Sequence, residues 1–157
     1  MADLKPPFDP ATAHRKVKAA QVLWNTRDPA RIAAAYTPDC VWRNRSTFLQ
    51  GHAEIIDFLT RKFAREQGYR LQKKLFAADG AKIAVEFWYE FMDAEDGGVW
   101  KRCYGIEHWT FDERGKMERR VMSGNDLPVA GGEPGRWFTD EKGGVEAEVE
   151  VGDWQGL

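Results

Sequence analysis

The hydrophobic pattern of this chain changes its period once, and that change limits the folds available to it. Up to about residue 67, apolar residues recur at helical spacing, and beyond that point they alternate with polar residues. Turn signals rich in Asp and Gly separate the alternating segments, which are residues 69–78, 82–92, 99–111 and 116–125. Helices followed by meandering antiparallel strands predict an α+β domain, with its helices packed on one face of a strongly curved antiparallel sheet.

Three helices are predicted in the N-terminal part. The first begins at residue 11 and ends before Asp28-Pro29, where Asp28 can cap and Pro29 can open a second, short helix through residue 36. Residues 37–39 break the chain, and residues 40–44 form a short strand. The third helix covers about residues 52–67, with Gly68 as its C-cap.

Length and composition indicate one domain with an extension. The 157 residues are enough for a single core, and 43% hydrophobic content excludes global disorder. A net charge of −2 gives no reason to expect nucleic acid as a partner. From Glu133 onward the charge is −5, which leaves +3 for the preceding residues. We expect an extended arm at 1–10, the domain at 11–130 and an acidic, Gly-rich C-terminal extension at 131–157.

Cysteine usage and the N-terminus predict a cytoplasmic location. Cys40 and Cys103 lack metal-ligand spacing and both fall in inward phase. The N-terminus has no apolar signal segment, and no run approaches the ~20 apolar residues of a membrane span. No phosphate loop, dinucleotide fingerprint or serine-nucleophile motif occurs. We therefore expect no metal, no cofactor and no membrane partner.

Glu107 is the residue on which an enzymatic function depends. Alternation places Glu107, Trp109 and Phe111 on one face of a strand. The carboxylate then lies either at the wet edge of the sheet or inside an aromatic-walled cavity. The second alternative would make Glu107 a candidate acid/base, with its pKa raised by the rings or lowered by an arginine.

The order of elements resembles the nuclear transport factor 2-like (NTF2-like) superfamily, which includes SnoaL-like polyketide cyclases, ketosteroid isomerase and scytalone dehydratase. The Tyr36-Thr-Pro-Asp39 and Phe111-Asp-Glu-Arg-Gly115 segments carry this resemblance. A closer resemblance, to a small family of unknown function within the superfamily, rests on residues 24–29, 42–45, 58–62, 104–105 and 123–126. It implies a cone in which helices and curved sheet enclose a pocket, and a homodimer paired through the sheet.

The resemblance to ketosteroid isomerase assigns three positions. The general base of that enzyme corresponds to Asn44, its oxyanion-hole acid to Glu107 and its oxyanion tyrosine to about Ala20. Because the base is an amide here and the phenol is missing, isomerisation by that mechanism is not expected. The comparison also implies that Asn44 and Glu107 point into the cone, whereas alternation turns Arg43 and Arg45 outward.

The candidate site follows from these phases. Glu107 is the proton-transfer group or anchor, and Asn44 and Tyr89 orient a carbonyl or hydroxyl group. The resemblance puts Trp42, Trp109, Arg120 and Met122 on the same inner side, and together with Trp24 they are the candidate ligand-binding residues. Two alternatives remain open, because the tryptophans can be plain core packing and Glu107 can be a structural partner of Arg120 across the hairpin.

The leading hypothesis is a small-molecule pocket protein. Any catalysis would be cofactor-independent acid/base chemistry of the isomerase, cyclase, dehydratase or hydrolase type on a hydrophobic or aromatic metabolite. The alternative is a non-catalytic dimeric module for ligand binding or protein interaction. An open cavity reaching Glu107 favours the first, and a packed interior with Glu107 saturated by Arg120 favours the second. A ligand carrier or sensor would show a cavity but no group with a perturbed pKa.

Overall fold

The structure is a computed structural model that describes residues 4–130, 135–139 and 148–151. Its helices are α1 (Pro10–Asn25), α2 (Pro29–Ala33) and α3 (Gly51–Arg65). Its strands are β1 (Tyr36–Asn44), β2 (Thr47–Gln50), β3 (Glu66–Asp79), β4 (Lys82–Asp93), β5 (Val99–Phe111) and β6 (Met117–Pro128). Within the described residues, none of the helices has the length and apolar content that a membrane crossing requires.

The sheet is mixed, which corrects the prediction of an antiparallel sheet. Its strand order is β2-β1-β6-β5-β4-β3, and β3 to β6 form the predicted antiparallel meander. However, β1 runs parallel to β6, with Asn44 opposite Met122. Turn signals predict pairing between consecutive strands, whereas the β1–β6 pairing joins strands far apart in sequence. The sequence pattern therefore had no signal for the parallel pair.

Several boundaries also differ from the prediction. Helix α2 ends at Ala33, and the segment expected to break the chain belongs to β1, where an irregular register accommodates Pro38. The short strand β2 was not predicted. Gly68 lies inside β3 and does not cap α3. It keeps a left-handed φ of 66°, and a Cβ there would come within 2.9 Å of the Trp100 ring.

Local capping explains where the first two helices begin. Asp9 and Thr12 form a capping box at the start of α1, because each side chain bonds the backbone N–H of the other. Asp28 accepts hydrogen bonds from the N–H groups of Ala30 and Arg31 at the start of α2, as its position before Pro29 predicted.

Polar side chains of α1 cover the free edge of β3. The Asn25 amide exchanges two hydrogen bonds of 2.9 Å with the backbone of Leu71. The Lys73 N–H donates to Gln21 Oε1 at 2.8 Å, and the Lys73 carbonyl accepts from Lys18 at 2.6 Å. Because β3 is an edge strand, these contacts satisfy backbone groups that would otherwise be exposed. They also fix the register of Lys73, whose side chain points the other way, into the interior.

The predicted inner face of β4 is buried, with Val85, Phe87, Tyr89 and Phe91 in the core. Phe87 pairs across the ladder with Gly105. A Cβ on Gly105 would lie 1.9 Å from the Phe87 ring, so the glycine leaves the space that the ring fills.

The described parts of the C-terminal extension contact their own domain. Residues 135–139 lie on the outer face of β4 and β5, where Phe138 is buried. Val149 exchanges two backbone hydrogen bonds with the Gln72 side chain, at 2.8 and 3.0 Å. The remainder of the predicted extension, like residues 1–3 of the predicted arm, lies outside the described residues.

Candidate functional site

Glu107 lies in the interior and not at the wet edge of the sheet, with 2% of its surface exposed. Three side chains donate hydrogen bonds to its carboxylate. Trp109 Nε1 and Arg120 Nε donate to Oε2 at 2.7 and 2.9 Å, and Lys73 Nζ donates to Oε1. The expected pairing with Arg120 is therefore present, together with a second cation that the sequence analysis missed. We call Lys73, Glu107 and Arg120 the charged cluster.

The charged cluster keeps Glu107 ionised. Burial acts to raise the pKa of this carboxyl, but the charges of Arg120 and Lys73 and the hydrogen bonds outweigh it and lower the pKa to about 2. Of the two predicted alternatives, a pKa raised by the rings is thus wrong, and a pKa lowered by an arginine is confirmed. The carboxyl is therefore ionised near neutral pH and places a fixed negative charge in the interior.

Lys73 is the titratable residue that the sequence analysis overlooked. It is buried, with its ammonium nitrogen 4.9 Å from the centroid of Phe87 and 5.4 Å from that of Trp109. Burial lowers the pKa of Lys73, Arg120 lowers it further, and Glu107 opposes both. Alternation along β3 places Lys73 in phase with the buried Tyr69 and Leu71, which was the available signal. Lysine is so rarely buried that this signal is easily discounted.

Trp24 and Trp42 form cation–π contacts with Arg120. The Arg120 guanidinium lies 4.5 Å from the Trp42 ring centroid and 4.8 Å from that of Trp24, and the two rings stack at 5.7 Å. Arg120 Nη1 also donates to Asn44 Oδ1 at 3.0 Å. The predicted inward residues Asn44, Trp24 and Trp42 therefore meet around one cation, and both rings belong to the core.

The charged cluster carries one surplus positive charge. Lys73 and Arg120 are cationic, Glu107 is anionic, and all three are almost completely buried. Cation–π contacts are worth about 0.5–2 kcal/mol each. The effective cost of burying an ion is several kcal/mol, so the rings only partly offset the surplus charge.

The chamber around the cluster is almost filled. It has a volume of about 10 Å³, close to the space of a single water molecule. Its lining includes most of the predicted site and consists of Trp24, Asn44, Lys62, Tyr69, Leu71, Lys73, Phe87, Tyr89, Glu107, Arg120 and Met122. Trp109 contacts the same carboxylate. In this conformation, the packed interior and the saturated Glu107 are what the non-catalytic alternative predicted.

A larger pocket opens beside this chamber. It has a volume of about 470 Å³ and is lined by Asn44, Arg45, Ser46, Thr47, Phe58, Arg61, Lys62, Ala64, Arg65, Glu66, Tyr89, Phe91, Glu95 and Asp126. We call it the mouth pocket. Asn44, Lys62 and Tyr89 line both spaces. The predicted orienting residues Asn44 and Tyr89 thus stand between the mouth pocket and the charged cluster.

Lys62 is the third residue of this boundary. Its ammonium group bonds both carboxylate oxygens of Glu66 at 2.9 Å and the Tyr89 hydroxyl at 3.2 Å. It also lies 4.3 Å from the Tyr89 ring centroid. Lys62 is therefore positioned to close the chamber.

Arg45 lines the mouth pocket, so the prediction that it faces outward is wrong. It follows the last residue of β1 and has a φ of 59°, which ends the alternation on which the prediction relied. Its guanidinium bonds Asp126 at 2.6 Å and the Gly124 carbonyl at 2.7 Å.

The outer face of the sheet carries a second open groove of about 570 Å³. Phe76 and Ile106 line this outer groove and are 70% and 57% exposed. His108 also lines it and is exposed. The surface is largely apolar for a sheet face in contact with water.

The two cysteines are buried in the part of the chain that the structure describes. Burial raises the pKa of both Cys40 and Cys103 to about 12, so neither thiol is a ready nucleophile. Among residues 4–130, 135–139 and 148–151, no group of three or more His, Cys, Asp and Glu side chains is arranged to hold a metal ion.

Solved structures share this architecture. The epoxide hydrolase/cyclase-like enzyme SalBIII, reported for pyran ring formation in polyether salinomycin, is 15% identical with a TM-score of 0.66, over 74% of this chain and 93% of that one. An NTF2-like protein of unknown function from Burkholderia pseudomallei is 19% identical with a TM-score of 0.63, over 72% and 90%. A hypothetical protein with a ketosteroid isomerase-like fold from Catenulispora acidiphila, in complex with trimethylamine, is 13% identical with a TM-score of 0.61, over 69% and 83%.

These similarities establish the fold, which is NTF2-like with helices packed on a curled mixed sheet. No curated protein matches the chain. Residues 6–139 match the model of a family described as a protein of unknown function, DUF1348. This match confirms the resemblance found in the sequence. The chain therefore belongs to the DUF1348 family.

Proposed function

We propose that this protein binds a small organic metabolite in the mouth pocket, with a polar group of the ligand directed at the charged cluster. One observation carries the proposal. A buried cluster of three ions lies beside an open pocket of about 470 Å³, and Asn44, Lys62 and Tyr89 line both spaces. Ligand pockets in proteins typically have volumes of about 300–1,000 Å³.

The cost of the charged cluster supports a ligand-binding role. Replacing buried ion pairs with apolar residues of similar volume is often neutral or stabilising. Stability alone therefore gives little reason to place two cations and a carboxylate among the rings of Trp24 and Trp42. Recognition of a polar group provides a reason, because fixed charges in a dry interior interact strongly with a ligand.

The chemistry that fits this arrangement is cofactor-independent proton transfer of the isomerase, cyclase, dehydratase or hydrolase type. Glu107 serves as the fixed charge, and Asn44 orients the ligand. Lys73 is better suited to move a proton than Glu107, because burial lowers its pKa toward the working range of a general base. SalBIII is an enzyme of this fold.

A non-catalytic binding module is the second candidate. The filled chamber of about 10 Å³ favours it, since substrate atoms have no room beside Glu107 unless Lys62 moves. The trimethylamine complex is a case of ligand binding on the same fold. Because the fold serves both purposes, the decision lies in the site.

The test is a thermal-shift and calorimetric screen of aromatic and terpenoid metabolites. We expect at least one ligand whose binding is lost in Thr47→Trp, which fills the mouth pocket from an exposed position. Thr60→Trp is the matched control, because Thr60 is exposed on α3 and does not line the pocket. Binding that both variants retain would place the ligand elsewhere and refute the proposal.

We also propose that two copies pair through the outer groove. Exposed Phe76 and Ile106 support this, because apolar patches of this kind mark interfaces. Ile106→Glu is expected to convert a dimer into a monomer in light-scattering measurements. Val22→Glu, at another exposed apolar position on α1, is expected to leave the dimer intact. A wild-type protein that is monomeric at tens of micromolar would contradict the pairing.

A further inference from the structure

We infer that the ligand of the mouth pocket is a monoanion, the carboxylate of a small aromatic or alicyclic acid, and that its charge completes the charged cluster. This inference rests on the proposed function and names the ligand class for that site. It derives from the surplus positive charge, from the absence of a described side chain that neutralises it, and from the three aromatic rings in the otherwise polar lining of the mouth pocket.

The surplus charge persists when the surroundings of Lys73 are counted. The ionisable groups in and around the charged cluster include Tyr36, Lys62, Glu66, Tyr69, Tyr89, Glu107 and Arg120. Burial raises the pKa of the three tyrosines, so they remain neutral. Lys62 and Glu66 neutralise each other. Among the described residues, only Glu107 is left to balance Lys73 and Arg120.

A buried surplus charge has two ways to be relieved. Either Lys73 releases its proton, or a negative charge enters the site. The lowered pKa of Lys73 favours the first of these, the release of its proton. An anion beside the cluster would reverse that shift, so anion binding is coupled to proton uptake by Lys73 wherever the amine is partly neutral.

The route to the cluster is compatible with an anion. A ligand that moves from the mouth pocket toward the chamber passes Lys62, which lines both spaces. The carboxylates of the mouth pocket are already engaged by cations, with Glu66 bound to Lys62, Glu95 to Arg65 and Asp126 to Arg45. They are therefore not positioned as free charges that would repel the anion.

The rest of the mouth pocket accommodates an apolar body. Phe58, Tyr89 and Phe91 contribute rings to its lining. A ring or compact alicyclic group fits these surfaces while its carboxylate points toward Lys62 and the cluster. A small acid with one ring satisfies both requirements.

The experiment compares acids with their uncharged amides by isothermal titration calorimetry on the wild-type protein. The pairs are benzoate and benzamide, phenylacetate and phenylacetamide, and cyclohexanecarboxylate and its carboxamide. We expect at least one acid to bind 10-fold or more tightly than its amide. Its binding should be lost in Thr47→Trp.

Two variants connect the preference to the named cations. Lys73→Met should reduce the ratio of acid affinity to amide affinity 5-fold or more. If Lys73→Met does not fold, Lys62→Met tests the same preference. Lys74→Met is the matched control, because this lysine is the exposed neighbour of Lys73 and should leave the ratio unchanged.

The outcomes separate the two proposals. Amides that bind as tightly as acids, or a neutral ligand from the screen that binds the mouth pocket while no acid does, would overturn the inference and leave the proposed function standing. An acid preference that survives both Lys73→Met and Lys62→Met would also overturn it. If neither the acids, the amides nor any screened metabolite binds, the inference fails together with the proposed function.

Discussion

Glu107→Gln is expected to destabilise the protein by about 3–5 kcal/mol, the usual cost of removing one partner from a buried ion pair. The glutamine has nearly the same shape, so packing changes little. What changes is the charge, because Lys73 and Arg120 then lie in the interior with no carboxylate between them. The Trp109 indole and Arg120 also lose a charged acceptor. A smaller effect on stability, with loss of ligand binding or turnover, would instead assign Glu107 a purely functional role.

The measurement is denaturant unfolding at several pH values. The folded-state pKa of Glu107 is about 2, below its ordinary value of 4.5. Its stabilising contribution is therefore fully present above about pH 4.5 and is lost as the pH falls toward 2. The difference in unfolding free energy between wild type and Glu107→Gln should be constant near neutral pH and should narrow in this acidic window.

Two further variants show whether charge is the cause. Glu118→Gln replaces an exposed carboxylate on β6 with a carboxamide, and it should change the free energy of unfolding by less than ~0.5 kcal/mol. Adding Lys73→Met to Glu107→Gln restores the original surplus of one positive charge, so the double variant should be more stable than Glu107→Gln alone. A double variant that is less stable than either single variant would indicate that packing, not charge, dominates the cluster.

Glu90→Gln is expected to release the segment at residues 135–139 from the sheet. Glu90 is completely buried on the outer face of β4 and accepts hydrogen bonds from Arg102 at 2.6 and 2.9 Å. It also accepts from the backbone N–H groups of Trp137 and Phe138, at 2.9 and 3.0 Å. Backbone N–H groups of consecutive residues bind an anion, and a neutral carboxamide can replace only part of that interaction.

The expected cost is about 3 kcal/mol, but the segment can detach before the domain unfolds. Hydrogen exchange at Trp137 and Phe138 should therefore accelerate by about 100-fold, the equivalent of ~3 kcal/mol, while exchange in the core changes less. Glu86→Gln is the matched control, since Glu86 lies on the same face of the same strand and is only half-buried. Unchanged exchange at both amides would show that Glu90 does not anchor the segment.

Local geometry explains what could be predicted about the site. The side-chain period of two places Glu107, Trp109 and Phe111 on one face whatever the strand pairs with, and the same holds for Val85, Phe87 and Tyr89. Alternation failed at Arg45, where a left-handed residue follows the strand. Alternation along β4 places Glu90 on the outer face, but its burial depends on a segment 47 residues away in sequence.

The α+β order of elements could be predicted because it depends on a short-range hydrophobic pattern. The family and the inward direction of Asn44, Glu107 and Arg120 came from the resemblance to known proteins. Long-range packing alone brings Lys73 to Glu107 across 34 residues of sequence, lowers the pKa of Glu107 and fills the chamber. The pairing of β1 with β6 was likewise settled only by the tertiary structure. The pKa of a buried group depends on the charges and apolar surfaces around it. Strand register, not local sequence, sets the distances to them.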